Sequence, residues 1–175
     1  MSSATRHSVS RLTIDLGATP EDFASRFERA VPPVPMDRVA ELIKREAPWQ
    51  EMIDLVANAA PHGFFTYLKM ETAPLMHLAG DHAFCIAYLM GNHVIAERMF
   101  RHDPDVMLYA PLRVVVWGEA GGAGYFSLDR PSDHFCSFAR PEVSAVGVEL
   151  DRKVAALLES LGVETPADLT ETKAE

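Results

Sequence analysis

Histidine and cysteine are the residues of this sequence best suited to bind a metal ion. Five of the seven histidines lie in the central region, at positions 77, 82, 93, 102 and 134. Imidazole and thiolate together suit zinc or a softer transition metal. If residues 134–136 are extended, His134 and Cys136 point to one side, and His82 could complete the set. One hypothesis is therefore a metal site formed by His82, His134 and Cys136.

The spacing of the other histidine and acidic residues does not predict a metal site or a catalytic site. His93 and Glu97 are four residues apart on a predicted helix, where they form an exposed pair. A strand of about 26 Å separates His82 from His93, so the two cannot share an ion. Residues 132–134 (Ser-Asp-His) are consecutive, whereas a catalytic triad needs side chains from separate segments. No motif indicates a reaction, and we expect a binding module rather than an enzyme.

Aromatic and methionine side chains offer a second candidate site. Six of them have strand positions that could place them on one sheet face: Tyr67, Phe84, Tyr88, Met90, Trp117 and Tyr125. Such a face could be core beneath helices at 36–60, a homodimer interface or an apolar small-molecule pocket. For the pocket, the expected lining residues are Tyr67, His82, Phe84, Tyr88 and Trp117. The alternative function is a haem- or metal-binding protein, with an enzyme left open as one form of it, because haem needs an apolar slot and one axial ligand, here His82 or His134.

A central strand at residues 83–90 would position these candidates. It contains eight apolar or semi-apolar residues in a row. A strand with one exposed face alternates apolar with polar residues, so this pattern predicts that both faces are covered. One face carries small residues such as Ala83 and Ala87, where we expect helices to pack. The other carries large residues such as Phe84 and Tyr88, where we expect any functional site.

The surrounding pattern predicts further strands and helices. Strands are expected at 8–16, 63–70, 112–117 and 124–128, with helices from Thr19, at 36–46 and 49–60, from Asn92 and over 143–161. This order predicts an α+β fold with a mostly antiparallel sheet of about five strands and helices packed on one face. We expect a single domain that carries a helical insertion at 32–61 and a frayed polar tail at 164–175.

Several short motifs resemble those of the domain of unknown function 302 family over roughly residues 8–131. In chain order they are Gly63-Phe64, Tyr88-Leu89-Met90-Gly91-Asn92, Asp103-Pro104 and Leu112-Arg113-Val114-Val115-Val116. The family commonly has Asn-Pro where this chain has Asn92-His93. The resemblance implies a TATA-box-binding-protein-like α+β fold that usually self-associates, with no agreed activity.

Composition excludes several partners. The chain has 16 basic and 25 acidic residues, a net charge of −9, and no cluster of lysine and arginine. Binding to nucleic acid or an anionic membrane needs such clusters, so neither is expected. The first fifteen residues lack the apolar block of a signal peptide, and Cys85 and Cys136 lie in apolar surroundings typical of buried thiols. We therefore expect a cytoplasmic protein. The family resemblance and the apolar sheet face described above lead us to expect a homodimer.

Overall fold

The structure, a computed structural model, describes residues 4–171. Its strands are β1 (Arg11–Asp15), β2 (Phe65–Glu71), β3 (Ala83–Gly91), β4 (Leu112–Glu119) and β5 (Gly124–Asp129). Its helices are α1 (Pro20–Ala30), α2 (Met36–Lys44), α3 (Trp49–Ala59), α4 (Ala73–His77), α5 (His93–Phe100), α6 (Pro131–Cys136) and α7 (Pro141–Ser160). Short 3₁₀ turns occupy Pro104–Leu108 and Ala167–Leu169.

The five strands form one sheet in the order β1-β5-β4-β3-β2, and every neighbouring pair is antiparallel. The predicted α+β class with an antiparallel sheet is therefore confirmed. The sheet places β3 second from one edge, beside β4 and β2. The carboxyl end of β3 thus meets the start of β4, and both candidate cavities described below lie at this end.

Side-chain caps fix where the helices begin. Thr19 accepts a hydrogen bond from the Asp22 amide at the start of α1. Asn92 accepts from the amides of Val94 and Ile95 at the start of α5, as its position in the sequence predicts. The Asn92 amide group also donates to the Gly63 carbonyl at 2.8 Å. This residue therefore holds the start of α5 against the segment that enters β2.

The two faces of β3 are covered in the opposite sense to the prediction. Its large residues Ile86, Tyr88 and Met90 are buried in the main core. The Tyr88 ring packs 4.9 Å from that of Phe27 on α1. The small residues, such as Ala87, lie on the other face and are only half-buried. Large apolar side chains lose more surface to water when helices cover them, which explains why they line the core.

The other side of the sheet is called the open face, because its side chains are half-buried or exposed. Antiparallel register places Ala87 beside Val115 and Met70, so these three apolar residues share it. Toward β1 the same row continues through Ser127 to Thr13. The open face is therefore apolar on the β2 side and polar on the β1 side.

Helices α2 and α3 do not cover the sheet face, contrary to one of the interpretations above. Val39, Met52 and Val56 form a second apolar cluster around Phe65 at the start of β2. Tyr67 borders the same cluster. These helices therefore extend the core at one edge of the sheet.

Helix α6 is anchored by a buried ion pair that the sequence analysis did not anticipate. Arg130 donates to Asp151 of α7 at 3.0 Å, and the other Asp151 oxygen accepts from the Ser132 amide at 2.9 Å. Arg130 also donates to the Glu171 carbonyl. Leu169 is 1% exposed, so the tail is packed as far as residue 171, where fraying was expected. The remaining predicted tail, 172–175, lies outside the described residues.

Helix α7 is 20 residues long and contributes one side to the main core. A Cβ atom at Gly147 would lie 2.9 Å from the Phe135 Cβ, so this glycine lets α6 pack closely against α7. No helix within residues 4–171, α7 included, has the length and apolar character needed to cross a membrane.

Candidate functional site

The five residues predicted to line a pocket do not meet at one place. Phe84 and Tyr88 lie on the core side of β3, whereas Trp117 lies on the open face opposite Cys85. His82 is exposed on the connection before β3. The prediction that they share a face was wrong, because the β3–β4 register pairs Trp117 with the small residues of β3.

Tyr88 and Trp117 each have a partner that explains their position. The Tyr88 hydroxyl donates to Glu28 at 2.8 Å, and Glu28 is also paired with Lys69 at 2.9 Å. Burial, and then the Glu28 carboxylate, raise the pKa of Tyr88. Trp117 donates to the Ser127 hydroxyl at 2.8 Å. Tyr88 is thus a core residue with a polar end, and Trp117 is part of the open face.

The three predicted metal ligands are also separated. His82 precedes the first residue of β3, whereas His134 lines a cavity with Leu89, about 20 Å further along that strand. Residues 134–136 belong to α6, so His134 and Cys136 are about 200° apart around a helix instead of side by side on a strand. Cys136 is exposed, not buried as expected, and both cysteines are free thiols. Within residues 4–171 no cluster of three or more suitable side chains could hold a metal ion.

The haem alternative requires an apolar slot beside one of the two histidines. His82 is exposed on the 72–83 connection and is not enclosed by apolar side chains. His134 lines a cavity that is partly polar. Axial ligation by His134 stays a prediction, which the absorbance spectrum of the purified protein tests.

A largely apolar cavity of about 210 Å³ lies at the carboxyl end of β3 and is called the Tyr67 pocket. It is open to solvent on one side and is lined by the start of β2, the end of β3, α5, the segment before β4, α6 and α7. Its lining residues are Tyr67, Gly91, Asn92, His93, Ile95, Ala96, Met99, Met107, Ala110, Pro111, Leu112, Phe135 and Leu150. Of the residues predicted to bind a ligand, only Tyr67 lines this cavity.

Local backbone features bring the walls of the Tyr67 pocket together. The register shift between Thr66 and Leu68 makes Tyr67 the extra residue of a β-bulge, which turns it out of the regular strand alternation. Gly91 is needed for close approach, because a Cβ there would lie 3.3 Å from the Pro111 Cβ and 3.4 Å from the Tyr67 ring. The Asn92 cap then places His93 at the first position of α5.

Tyr67 and His93 form a hydrogen-bonded pair in the pocket wall. The Tyr67 hydroxyl and His93 Nδ1 are 2.8 Å apart. Burial raises the pKa of Tyr67 and lowers the pKa of His93, so both are neutral near pH 7. In the tautomer that carries its proton on Nε2, His93 accepts the phenol proton. The phenol oxygen then keeps lone pairs for another donor.

His93 is the residue that sequence reasoning missed. It was expected to pair with Glu97 on an exposed helix face, but Glu97 instead pairs with Arg101. The Asn92 cap predicts where α5 starts, which fixes the position of His93. The bulge that turns Tyr67 toward it has no signal in the sequence, since no glycine or proline occurs between residues 65 and 71.

A second cavity, of about 310 Å³, is called the Arg113 pocket. Its lining residues are Leu89, Leu108, Tyr109, Pro111, Leu112, Arg113, Asp129 and His134, and Pro111 and Leu112 also line the Tyr67 pocket. The Tyr109 and His134 rings stack with centroids 4.2 Å apart. His134 Nε2 lies 3.8 Å from Asp129, and its buried Nδ1 has no partner within residues 4–171. Burial lowers the pKa of His134.

Comparison with known proteins gives a family and a fold. The family model described as "Domain of unknown function DUF302" matches residues 48–161, more than half of the chain. A crystal structure of an uncharacterized conserved DUF302 protein from Bacillus stearothermophilus is similar, with a TM-score of 0.60 and 14% sequence identity. The similarity covers 85% of this chain and 95% of that one, and it concerns the fold. No curated protein matches the sequence.

Proposed function

The chain belongs to the DUF302 family, and we propose that it is a binding module that takes up a small, mainly apolar molecule in the Tyr67 pocket. The observation that carries this proposal is an apolar cavity with one hydrogen-bonded polar pair, Tyr67 and His93, in its wall. Small-molecule sites combine these two features, since apolar walls supply burial and a few polar groups fix orientation.

The size of the Tyr67 pocket restricts the ligand. An engineered apolar cavity of about 150 Å³ is large enough to bind benzene. A cavity of about 210 Å³ therefore suits a single substituted aromatic ring or an aliphatic group of similar size. Burying such a ring stabilises the complex by about 25 cal/mol for each Å² of apolar surface removed from water.

The Tyr67–His93 pair favours a ligand with one hydroxyl. When His93 carries its proton on Nε2, Tyr67 donates its own proton to His93 Nδ1, and the phenol oxygen is then the group that accepts a hydrogen bond from the ligand. A neutral hydroxyl avoids the cost of placing a charge among apolar side chains. The expected ligand class is therefore a small phenol or alcohol with an apolar body.

Calorimetric titration with toluene and p-cresol tests the proposal, because the two differ only by the hydroxyl. A hydrogen bond contributes about 1–1.5 kcal/mol, so p-cresol should bind about tenfold tighter than toluene. Tyr67→Phe should abolish most of that difference. Ala96→Leu fills the pocket and should prevent binding of both, whereas Ala145→Leu, on the exposed side of α7, should change neither.

Two outcomes would contradict the proposal. Either neither compound binds at concentrations up to about 10 mM, beyond the weak end of specific binding, or both bind Ala96→Leu as well as they bind the wild type. Thermal unfolding of each variant in the absence of ligand shows whether the substitution has disturbed the fold instead of the pocket.

We also propose that the chain is a homodimer, on a separate observation. Five large apolar side chains are exposed within one short stretch: Leu68, Met70, Leu75, Met76 and Leu78. Exposed apolar clusters of this kind mark interaction surfaces. A second copy is the partner favoured here, because a two-fold contact lets two identical clusters cover each other.

Light scattering tests the dimer. The wild type should have twice the 19.3 kDa mass of the chain, and Leu75→Asp should have the mass of one chain. Ile43→Asp is the matched control, since Ile43 is equally exposed but lies on α2, away from this stretch. A wild-type mass near 19.3 kDa that does not depend on concentration would contradict the dimer.

A further inference from the structure

We propose that the Arg113 pocket is a second binding site, separate from the Tyr67 pocket, and that it takes a small carboxylate with an apolar body. This inference does not depend on the function proposed above. It rests on a cation that has no ion-pair partner within residues 4–171, a neighbouring carboxylate whose oxygens face other groups, and an apolar wall beside them.

The Arg113 side chain is available to an anion. It is exposed on β4, at the edge of the cavity. Within residues 4–171 no carboxylate lies within ion-pair distance of its guanidinium group. Continuing the register of Val114 with Leu128 puts Asp129 beside Arg113 on the next strand, yet the two are not paired. A guanidinium group presents a planar set of N–H donors that matches the two oxygens of a carboxylate.

Asp129 does not form an ion pair with Arg113, because the two carboxylate oxygens of Asp129 face other groups. One oxygen lies 3.7 Å from the Arg11 guanidinium, and the other lies 3.8 Å from His134 Nε2. Arg11 therefore balances part of the Asp129 charge and reduces its repulsion of an incoming carboxylate. The overall net charge of −9 opposes anions at long range, so a local unpaired cation is required to hold one.

The rest of the Arg113 pocket is suited to an apolar body. Leu89, Leu108 and Pro111 line it beside the stacked rings of Tyr109 and His134. Its volume of about 310 Å³ admits an aromatic ring. The recognised class is thus a small aromatic or branched aliphatic carboxylate, with its charge at Arg113 and its body against these side chains.

Titration with benzoate, followed by calorimetry and by backbone NMR shifts, tests the site. Benzoate should shift the amides of Leu89 and Leu108, which line only the Arg113 pocket, and should leave those of Ala96 and Met99 in the Tyr67 pocket unchanged. Benzyl alcohol, with a similar shape and no charge, should bind at least about tenfold more weakly, or about 1.4 kcal/mol.

Matched variants separate a local site from general attraction of anions. Arg113→Gln should weaken benzoate binding at least about tenfold. Arg29→Gln removes the same charge from an exposed position on α1 and should leave the affinity unchanged. Ala96→Leu should also have no effect, so that failure of the Tyr67 pocket and failure of this site are distinguishable.

The proposal is overturned if benzoate fails to bind at up to about 10 mM. It is also overturned if Arg113→Gln and Arg29→Gln change the affinity equally, or if the shifted amides are those of Ala96 and Met99.

Discussion

The two cavities share the wall formed by Pro111 and Leu112, and each contains one tyrosine and one histidine. In the Tyr67 pocket the pair is hydrogen-bonded at 2.8 Å and surrounded by apolar side chains. In the Arg113 pocket the tyrosine stacks on the histidine, whose ring nitrogen lies 3.8 Å from Asp129. The same two residue types thus lie among apolar side chains in one cavity and beside charged side chains in the other.

In the two binding sites proposed above, the surroundings of each tyrosine–histidine pair determine which ligand class is expected. Burial lowers the pKa of both histidines, so both are neutral near pH 7. What differs is the nearest charge, because Arg113 and Asp129 line only the second cavity. The predictions below separate features that the two cavities share from those that belong to one.

The largest effect on stability and binding is expected from loss of the buried Arg130–Asp151 ion pair, which anchors α6 beside both cavities. Asp151→Ala leaves the Arg130 guanidinium buried without a counter-charge and should lower the free energy of unfolding by about 3–5 kcal/mol. Because α6 supplies Phe135 to one cavity and His134 to the other, both ligands should bind more weakly. Urea denaturation and the two titrations measure these effects.

Glu149→Ala is the control for the buried pair. It breaks the exposed ion pair between Glu149 of the same helix α7 and Arg98 of α5, and it should cost less than about 1 kcal/mol. If Asp151→Ala and Glu149→Ala destabilise the protein equally, α6 is not anchored by the buried pair.

A smaller effect should follow from one methyl group in the Tyr67 pocket. Gly91→Ala places a Cβ 3.3 Å from Pro111 and 3.4 Å from the Tyr67 ring, so these walls must move apart. We expect a destabilisation of about 1 kcal/mol and several-fold weaker binding of p-cresol. Benzoate binding should stay unchanged, since Gly91 does not line the Arg113 pocket. Equal losses for both ligands would show that the shared wall couples the cavities.

The smallest expected effect concerns pH. Because the folded pKa of both histidines lies below the unfolded value of about 6.5, the unfolded chain binds protons first as pH falls. The contribution of each to stability is therefore complete above about pH 6.5 and is lost as pH falls through the folded pKa. Denaturation of the wild type and His93→Gln at pH 7 and pH 5 should show a weaker pH dependence in the variant.

Bound benzoate should change the pKa of His134 but not that of His93, and both histidines titrate in the pH range just described. Burial lowers the pKa of His134, His7 adds to this, and Asp129 and Asp133 oppose it. A bound carboxylate should raise the pKa of His134 from this lowered value and leave that of His93 unchanged, as measured by NMR titration. A shift of both, or of His93 alone, would place benzoate in the wrong cavity.

Periodicity and caps were sufficient to predict the elements that position the two sites. The apolar run at 83–90 predicted β3, and Asn92 predicted the start of α5. The prediction of which face of β3 the helices cover was wrong. It assumed that helices pack on the face with small residues, because small residues allow close approach. In the structure the greater burial of Ile86, Tyr88 and Met90 determines which face the helices cover.

Site residues were harder to predict than elements because they depend on long-range register. Trp117 was assigned to the wrong face, since parity within β4 does not reveal its pairing with Cys85. Likewise, a bulge displaces Tyr67 from regular alternation toward His93. The local sequence contains neither relation, and Tyr67 is the one predicted lining residue among those that line the Tyr67 pocket.

The most direct measurement of the central claim is the position of p-cresol on the wild-type protein, determined from intermolecular nuclear Overhauser effects. The ligand should contact the side chains of Ala96 and Met99, both of which line the Tyr67 pocket. Contacts confined to the exposed Leu68 and Met70, or to Leu108 in the Arg113 pocket, would contradict it.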